Sequence, residues 1–468
     1  MVKKKMPPKP KVDRISKLPV HLIQLILTSL PIKEAGRTSV LSREWRHHWK
    51  SITHLVFDKD FDSPDYSDSD EEISADKLMS SIQKTLQVHD GPITECVVSN
   101  YRLTTTVEID PLISHLIEKG VSRLSLLYCC RDDSQQYEDE IDPSLFRAVQ
   151  VDRLKLQGCE LVEPSWFTGF TRLTSLHLDI VGLPEDFFDS FLLNCPLLED
   201  LRVFYFRGLN IVEVEAPPRL KVCILRADLG LVDISFSYAP LLSVVSIHAE
   251  ECGDEPETDV VSLFASLPAL QRFYISFECL ELLAAGSVPD RLPVALHCLE
   301  VLDIRRCDDE DSSLELELVL CLIRSSPNLN KLTIKVGLVI DTLYIIPFAL
   351  HTTVFTVQAF GFLWDLKLSE REPEAHPEDE DSFCQHLDEV EIRLSGFSQV
   401  ELDLLRFVLA NAPLLRRIVI QPKSRLRWEK CLKFLGEIKE YDCASKNVEI
   451  IYVNKSGVMF FSMRLANV

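Results

Sequence analysis

The sequence predicts an α/β chain: a small helical module at the N-terminus, then an irregular solenoid of short parallel strands on a concave face with helices outside. Two observations lead there. Six times a proline stands two residues ahead of an apolar residue that opens the pattern apolar-x-x-apolar-x-apolar. These runs are Pro196–Val203, Pro218–Leu225, Pro240–Ile247, Pro268–Ile275, Pro327–Ile334 and Pro413–Ile420. Without the proline the pattern begins at thirteen positions: Ile93, Val121, Val151, Leu173, Leu198, Leu220, Leu242, Leu270, Leu299, Leu329, Leu363, Leu387 and Leu415. Their mean spacing is about 27 residues, and self-similarity at such a period marks one structural unit reused many times. Charge, which bears on partners more than on fold, is unevenly placed: the first 50 residues carry +9 and the other 418 carry −31, for a net charge of −22.

Residues 1–12 are basic and proline-rich without an apolar run, which predicts a disordered cationic tail; Lys3–Lys11 could also address the nucleus. Residues 13–52 predict three short helices. Leu22, Ile26 and Leu30 share a helical face, Pro31 breaks the chain, and Glu34 falls in the next first turn, where a negative charge suits the helix dipole. Leu41, Trp45 and Trp49 form a second stripe at i, i+4, i+8. About forty residues with so many large apolar groups are marginal alone and need something to cover them. The order Asp13-Arg-Ile-Ser-x-Leu18-Pro19 through Thr38-Ser-Val-Leu41-Ser42-x-x-Trp45-x-x-x-Trp49 resembles the F-box of plant proteins. The resemblance implies docking onto the Skp-type adaptor of a cullin-based ubiquitin ligase. It implies adaptor-facing and core contacts from Leu18, Pro19, Leu22, Ile26, Leu30, Pro31, Leu41, Ser42 and Trp45. Gly36 departs from the family, which usually carries a larger residue there. Glycine inside a helix costs roughly 1 kcal/mol relative to alanine.

Residues 53–90 read as an acidic linker followed by a helix leading into the repeats. The run Asp58–Glu72 is a solvated segment in which Ser67 and Ser69, each followed three residues later by an acid, suit an acid-directed kinase. Residues 91–369 hold most of the repeats. Alternation as in Leu176-His177-Leu178 turns two side chains inward and one outward, as a strand requires. Phe187, Phe188, Phe191 and Leu192, or Leu402, Leu405, Val408 and Leu409, have helical spacing, and the following proline ends each helix. Leu124-x-Leu126-x-x-Cys129, Leu154-x-Leu156-x-x-Cys159 and Leu302-x-Ile304-x-x-Cys307 resemble the leucine-rich-repeat signature. One such unit cannot bury its apolar face alone, so its neighbours must cover it.

An acidic loop at 370–381 precedes residues 382–453, where His386–Leu394, Gly396-Phe397, a helix at Glu401–Asn411, Ala412–Ile420 and the strand-like Val448–Val453 resemble the FBD domain. That segment is expected to continue and cap the repeats, with 454–468 as a tail. It implies no activity of its own.

Composition narrows the function classes. Fourteen cysteines lie scattered without a C-x-x-C pair, and Cys96 and Cys223 occupy repeat core positions, which favours a reducing intracellular setting and buried thiols. No apolar run reaches the ~18 residues of a membrane span, and an acidic solenoid is a poor nucleic-acid surface. Neither Cys129-Cys130 nor His47-His48 has metal-ligand spacing, and no nucleophile or phosphate-binding motif appears, so we expect no metal, no cofactor and no catalysis. Target contacts should fall on outward strand positions: His177, Arg202, Ile224, Ser246, Tyr274, Asp303, Thr333, Lys367, Glu391 and Val419, with Arg202, Tyr274, Arg226 and Arg305 as the likeliest anchors by residue type. Acidic loops at Glu138–Asp142 and Glu250–Asp259 favour a basic partner through steering. The expected function is substrate recognition within an SCF-type ligase, in nucleus or cytoplasm, with cullin reached through the adaptor. A repeat scaffold or inhibitor outside any ligase is the alternative. A receptor gated by a small anion would need a lysine/arginine cluster that the linear sequence does not show.

Overall fold

The computed structural model describes residues 15, 18–58, 61, 75–99, 109–128, 140–184, 186–207, 209, 211–227, 231–249, 258–306, 316–336, 384–394, 399–422, 433–434, 436–453 and 459–465. Residues 1–14, most of Asp58–Glu72 with Ser67 and Ser69, Cys129-Cys130, the repeat at Leu363, Lys367, Gly396-Phe397 and the acidic loops at 250–257 and 370–381 lie outside them. The chain forms two compact units, residues 1–159 with 163–167 and residues 160–162 with 168–468.

In the first unit, helices α1 (Val20–Thr28) and α2 (Ile32–Arg37) begin directly after Pro19 and Pro31, whose φ/ψ of −56/144 and −54/148 are extended. Proline has no N–H to leave unsatisfied and fixes the entry angle, so each Leu-Pro pair starts a helix. Short 3₁₀ turns follow at Thr38–Val40 and Trp45–Ser51. The module's core is Ile23, Leu27, Ile32, Ala35 and Trp45. Gly36 lies inside α2, and a Cβ there would meet nothing within 4 Å, so its cost is backbone entropy rather than a packing requirement.

Residues 53–90 are less a linker than a first repeat. Strand β1 (His54–Phe57) is followed by α3 (Ala75–Gln87), β2 (Glu95–Val98), α4 (Asp110–Glu118), β3 (Arg123–Leu127) and β4 (Arg153–Glu160), and the four strands pair in parallel in chain order. The helical module is hydrogen-bonded into this repeat. Asp90 N–H donates to the Lys50 carbonyl at 2.7 Å, Thr94 N–H to that of Thr53 at 2.9 Å, and the buried His89 ring reaches Ile52 O at 2.8 Å. Lys119 Nζ in turn donates to His89 O at 3.0 Å. Burial of the His89 ring lowers its pKa, which keeps it neutral in this joint.

The second unit carries β5 (Ser175–Gly182), β6 (Asp200–Arg207), β7 (Ile211–Val214), β8 (Val222–Ala227), β9 (Asp233–Phe236), β10 (Val244–Ala249), β11 (Arg272–Ser276), β12 (Val301–Arg306), β13 (Lys331–Val336), β14 (Glu389–Leu394), β15 (Arg417–Pro422), β16 (Val448–Val453) and β17 (Met459–Leu465). Helices α5 (Val260–Ala265), α6 (Phe277–Ala284), α7 (Leu316–Arg324) and α8 (Gln399–Asn411) alternate with them. The parallel ladder runs β5-β6-β8-β10-β11-β12-β13-β14-β15-β16. Each predicted site inside the described residues stands two positions ahead of its strand, as Leu270 does before Arg272.

Two expectations are corrected. Between β6 and β10 the connecting elements are not helices but β7 and β9, which pair with each other in parallel. These repeats are short, 22 residues from Leu198 to Leu220 and from Leu220 to Leu242, as from Val151 to Leu173, leaving no room for a helix with its two turns, while Ile211-Val-Glu-Val alternates as a strand does. The 454–468 tail contains β17, paired antiparallel with β16, so the ladder ends by turning back on itself. Strand β13 is bonded directly to β14.

Two glycines test the packing. A Cβ on Gly169 (φ +108) would fall 2.1 Å from the Asn194 carbonyl oxygen, whereas one on Gly120 (φ +80) would meet nothing within 4 Å. Gly120→Ala should therefore cost only the left-handed backbone, about 1 kcal/mol. Gly169→Ala adds a backbone collision and should cost at least about 3 kcal/mol. Urea unfolding of the two variants checks the order.

Candidate protein-interaction surfaces

The N-terminal module presents apolar side chains on the side away from its core. In α1 the inward residues are Ile23 and Leu27, while Leu22, Leu25 and Ile26 face solvent, Leu25 at 64% exposure. Val40 at 87% and Leu41 at 54% project from the next turn, and Val20 is exposed as well. Among the residues expected to meet an adaptor, Pro19, Leu22, Ile26 and Leu41 are exposed, and Leu18, Leu30, Pro31 and Ser42 are half-buried. Trp45 is corrected to a core residue: only 2% of it is accessible, and its indole N–H donates to Ile15 O at 3.2 Å. The Leu41–Trp45–Trp49 stripe breaks because no continuous helix joins these residues: Leu41–Glu44 lie between the two 3₁₀ turns, and Leu41 is exposed while Trp45 is buried. Sequence reasoning missed Val20, Leu25 and Val40, although three apolar neighbours around α1 that cannot all face one core carried the signal.

On the second unit's sheet, the face opposite the apolar core does not carry freely solvated side chains. His177, Arg202, Ser246, Asp303, Thr333 and Val419 are buried, while Ile224, Tyr274 and Glu391 are half-buried. Adjacent strands bring these groups about 5 Å apart, so they cover one another. Arg202 is held by both oxygens of Asp200 at 2.9 and 3.0 Å, and Arg305 by both oxygens of Asp303 at 2.6 and 2.8 Å. Planar guanidinium and carboxylate match in this fork, which fixes both side chains. The anchors expected at Arg202 and Arg305 are therefore rigid parts of the face rather than free arms. Arg226 is half-buried, with its guanidinium 4.5 Å from the Tyr205 ring.

Strands β5 and β6 bulge at the same level. Ile180 has φ 54 and Tyr205 φ 52, between the rungs Asp179–Phe204 and Val181–Phe206. On β8 the register slips there, from Phe204 opposite Arg226 to Phe206 opposite Ala227. One extra residue per strand puts two successive side chains on the same face: Phe204, its ring tilted 5.2 Å from that of His177, and Tyr205. Non-glycine residues in the left-handed region cost of order 1–3 kcal/mol each and cluster where function demands a shape. The unbroken apolar run Val203-Phe-Tyr-Phe206 betrays the bulge, since a regular strand would alternate.

His248 lies at the centre of this region, opposite Arg226 on the neighbouring strand. Burial, then the charges of Arg226 and Arg305, depress its pKa to about 3. Farther along the ladder, charges instead neutralise each other across strands, with Lys331–Glu389 at 3.4 Å and Glu389–Arg417 at 3.7 Å. Cys96 and Cys223 are buried and free, and burial pushes the Cys96 thiol up to about 12 and the Cys223 thiol higher still, so both are inert packing groups. Among the described residues no group of His, Cys, Asp or Glu could hold a metal ion, and no helix is long and apolar enough to cross a membrane.

Comparison with known proteins gives the class. A model of the F-box domain matches residues 15–56, and a model of the LRR repeats of FBD-associated F-box protein At5g56370 matches residues 109–334. The F-box/FBD/LRR-repeat protein At1g13570 of Arabidopsis thaliana is 28% identical over 449 residues, covering 94% of this chain and 98% of that protein. The F-box/FBD/LRR-repeat protein At2g04230 of the same plant is 28% identical over 319 residues, 63% of this chain and 69% of that protein. F-box/LRR-repeat protein At3g03360 is 30% identical over 214 residues, 44% and 42% of the two chains. The chain belongs to the plant F-box/FBD/leucine-rich-repeat family. Neither matching model describes an enzyme.

The buried imidazole gives a pH prediction. Its folded pKa lies below the unfolded value of 6.5, so the unfolded chain binds the proton better. The stability His248 contributes is complete above pH 6.5 and is lost as pH falls toward 3, by up to about 1.4 kcal/mol per pH unit. Denaturant midpoints between pH 7 and 5 should fall more steeply for the wild-type chain than for His248→Gln.

Proposed function

We propose that this protein is the substrate-recognition subunit of an SCF-type cullin ubiquitin ligase. Its F-box binds a Skp-type adaptor, and its repeats bind the protein to be ubiquitinated. The observation that carries the reading is the exposed apolar surface of Val20, Leu22, Leu25, Ile26, Val40 and Leu41 on a module whose core is already complete without them. Large exposed apolar patches on a soluble module mark a partner surface, and an F-box implies an adaptor as that partner. The chain would supply proximity: binding the adaptor and the target at once turns a bimolecular encounter into a held one. Bond making and breaking would belong to other subunits.

The core and the surface separate in the test. Leu25→Asp with Ile26→Asp should abolish co-purification with the adaptor while leaving the melting temperature nearly unchanged, because both side chains already face water. Trp45→Ala should also abolish it, but by emptying the module's core, at a cost of about 3–5 kcal/mol, and the loss should appear in thermal melting. Retention of the adaptor by the Leu25/Ile26 variant would contradict the proposal.

A further inference from the structure

We propose that the open edge of β17 takes up an extended segment of a protein partner as one further strand, and that this segment carries a carboxylate level with Arg464. The inference rests on the end of the ladder alone and does not depend on what the F-box binds.

Two observations carry it, and the first is the backbone. Strand β17 (Met459–Leu465) is hydrogen-bonded to β16 on one side, and among the described residues no strand lies beyond it. In an antiparallel pair every second residue turns its N–H and C=O away from the partner. The edge of β17 is therefore a row of donors and acceptors that another extended backbone can meet as a set. Such edges are usually blunted by proline, by lysine or by a covering helix. In the first unit the end strand β1 packs against α2. By contrast, Met459-Phe-Phe-Ser-Met-Arg-Leu465 contains neither proline nor lysine.

The second observation is charge, and it says what the segment carries. Lys331, Glu389, Arg417, Glu449 and Arg464 are successive register partners on β13 to β17. The sign alternates at every step, and the first two contacts are ion pairs at 3.4 and 3.7 Å. Opposite charges on facing strands favour pairing, and like charges oppose it. This row ends on Arg464, which is exposed. The next rung, about 4.8 Å farther on, calls for an acid. The adjoining row is apolar: Leu332, Val390, Ile418, Ile450 and Met463 are likewise successive partners. A strand that continues both rows alternates apolar and acidic residues. The β17 of a second copy does not meet this need, because Met459–Leu465 holds no carboxylate to set against Arg464.

The test uses the full chain and fluorescein-labelled peptides of the sequence Thr-Val-Glu-Val-Glu-Val-Thr, the same with lysine for glutamate, and the glutamate peptide N-methylated at its central residues. In anisotropy at physiological salt the glutamate peptide should bind saturably. The lysine peptide should bind at least about fivefold more weakly, although the net charge of −22 favours it. N-methylation keeps the side chains but removes the backbone donors, and should abolish binding. Arg464→Glu should reverse the preference to lysine and leave the melting temperature unchanged, because the side chain is exposed. Arg416→Glu makes the same charge change off this row, at a side chain 80% exposed, and should keep the wild-type preference. No saturable binding of the glutamate peptide would overturn the proposal, as would equal binding of the lysine or N-methylated peptide, or an Arg464→Glu chain that still prefers glutamate. A dimer in sedimentation velocity that the glutamate peptide fails to dissociate would also overturn it, since a second copy would then hold the edge. The chain with Leu25→Asp and Ile26→Asp should bind the peptide as the wild type does, so failure of the ligase reading and failure of this one are told apart.

Discussion

Register across parallel strands is the constraint from which the rest of the second unit follows. The buried residues Leu201, Cys223, Val245, Phe273, Leu302, Leu332, Val390, Ile418 and Ile450 are successive partners along the ladder. Each covers the next, and none has a core without its neighbours. A slip of one residue at any strand would turn that strand's apolar set to the opposite face. The same alignment stacks the side chains of the other face into rows. There Arg202 is level with Ile224, Ser246, Tyr274 and Asp303. The make-up of that face is thus a by-product of core register, and it can change without disturbing what holds the repeats together.

In both units, side chains are rigid where the core or a salt bridge fixes them. In the N-terminal module, Trp45 fills the interior so that Leu25, Val40 and Leu41 can be spared for contact. On the sheet, bidentate carboxylates immobilise Arg202 and Arg305, and a bulge moves Tyr205 out beside Arg226. The module's last turn is bonded through Lys50, Ile52 and Thr53 to the first repeat, so it is built into its unit rather than hung from it.

Much of this was legible in the sequence, because the signals are periodic. Proline at Pro268 or Pro327 and the alternation behind it locate strands to the residue, and the two Leu-Pro pairs locate α1 and α2. What escaped depends on three-dimensional context. Strands β7 and β9 replace helices because the chain between Leu198 and Leu242 is too short, a matter of length that periodicity alone does not register. Leu41, Trp45 and Trp49 have the spacing of one helical stripe, but the segment is broken between two 3₁₀ turns, so Trp45 is buried while Leu41 is exposed. The bulge at Ile180 and Tyr205 needed two strands to be seen side by side. Likewise Arg226 and His248 lie more than twenty residues apart in sequence, and only register sets them opposite each other.

The central claim is that the exposed apolar surface of the N-terminal module is a docking face. Hydrogen exchange of the full chain, alone and mixed with a purified Skp-type adaptor at micromolar concentration, tests it most directly. The account predicts a stoichiometric complex in which the amides of residues 18–30 and 38–42 slow markedly, while those of β10 to β12 are unaffected. Two species that stay separate, or a complex whose protection falls on the repeats and spares α1, would contradict it.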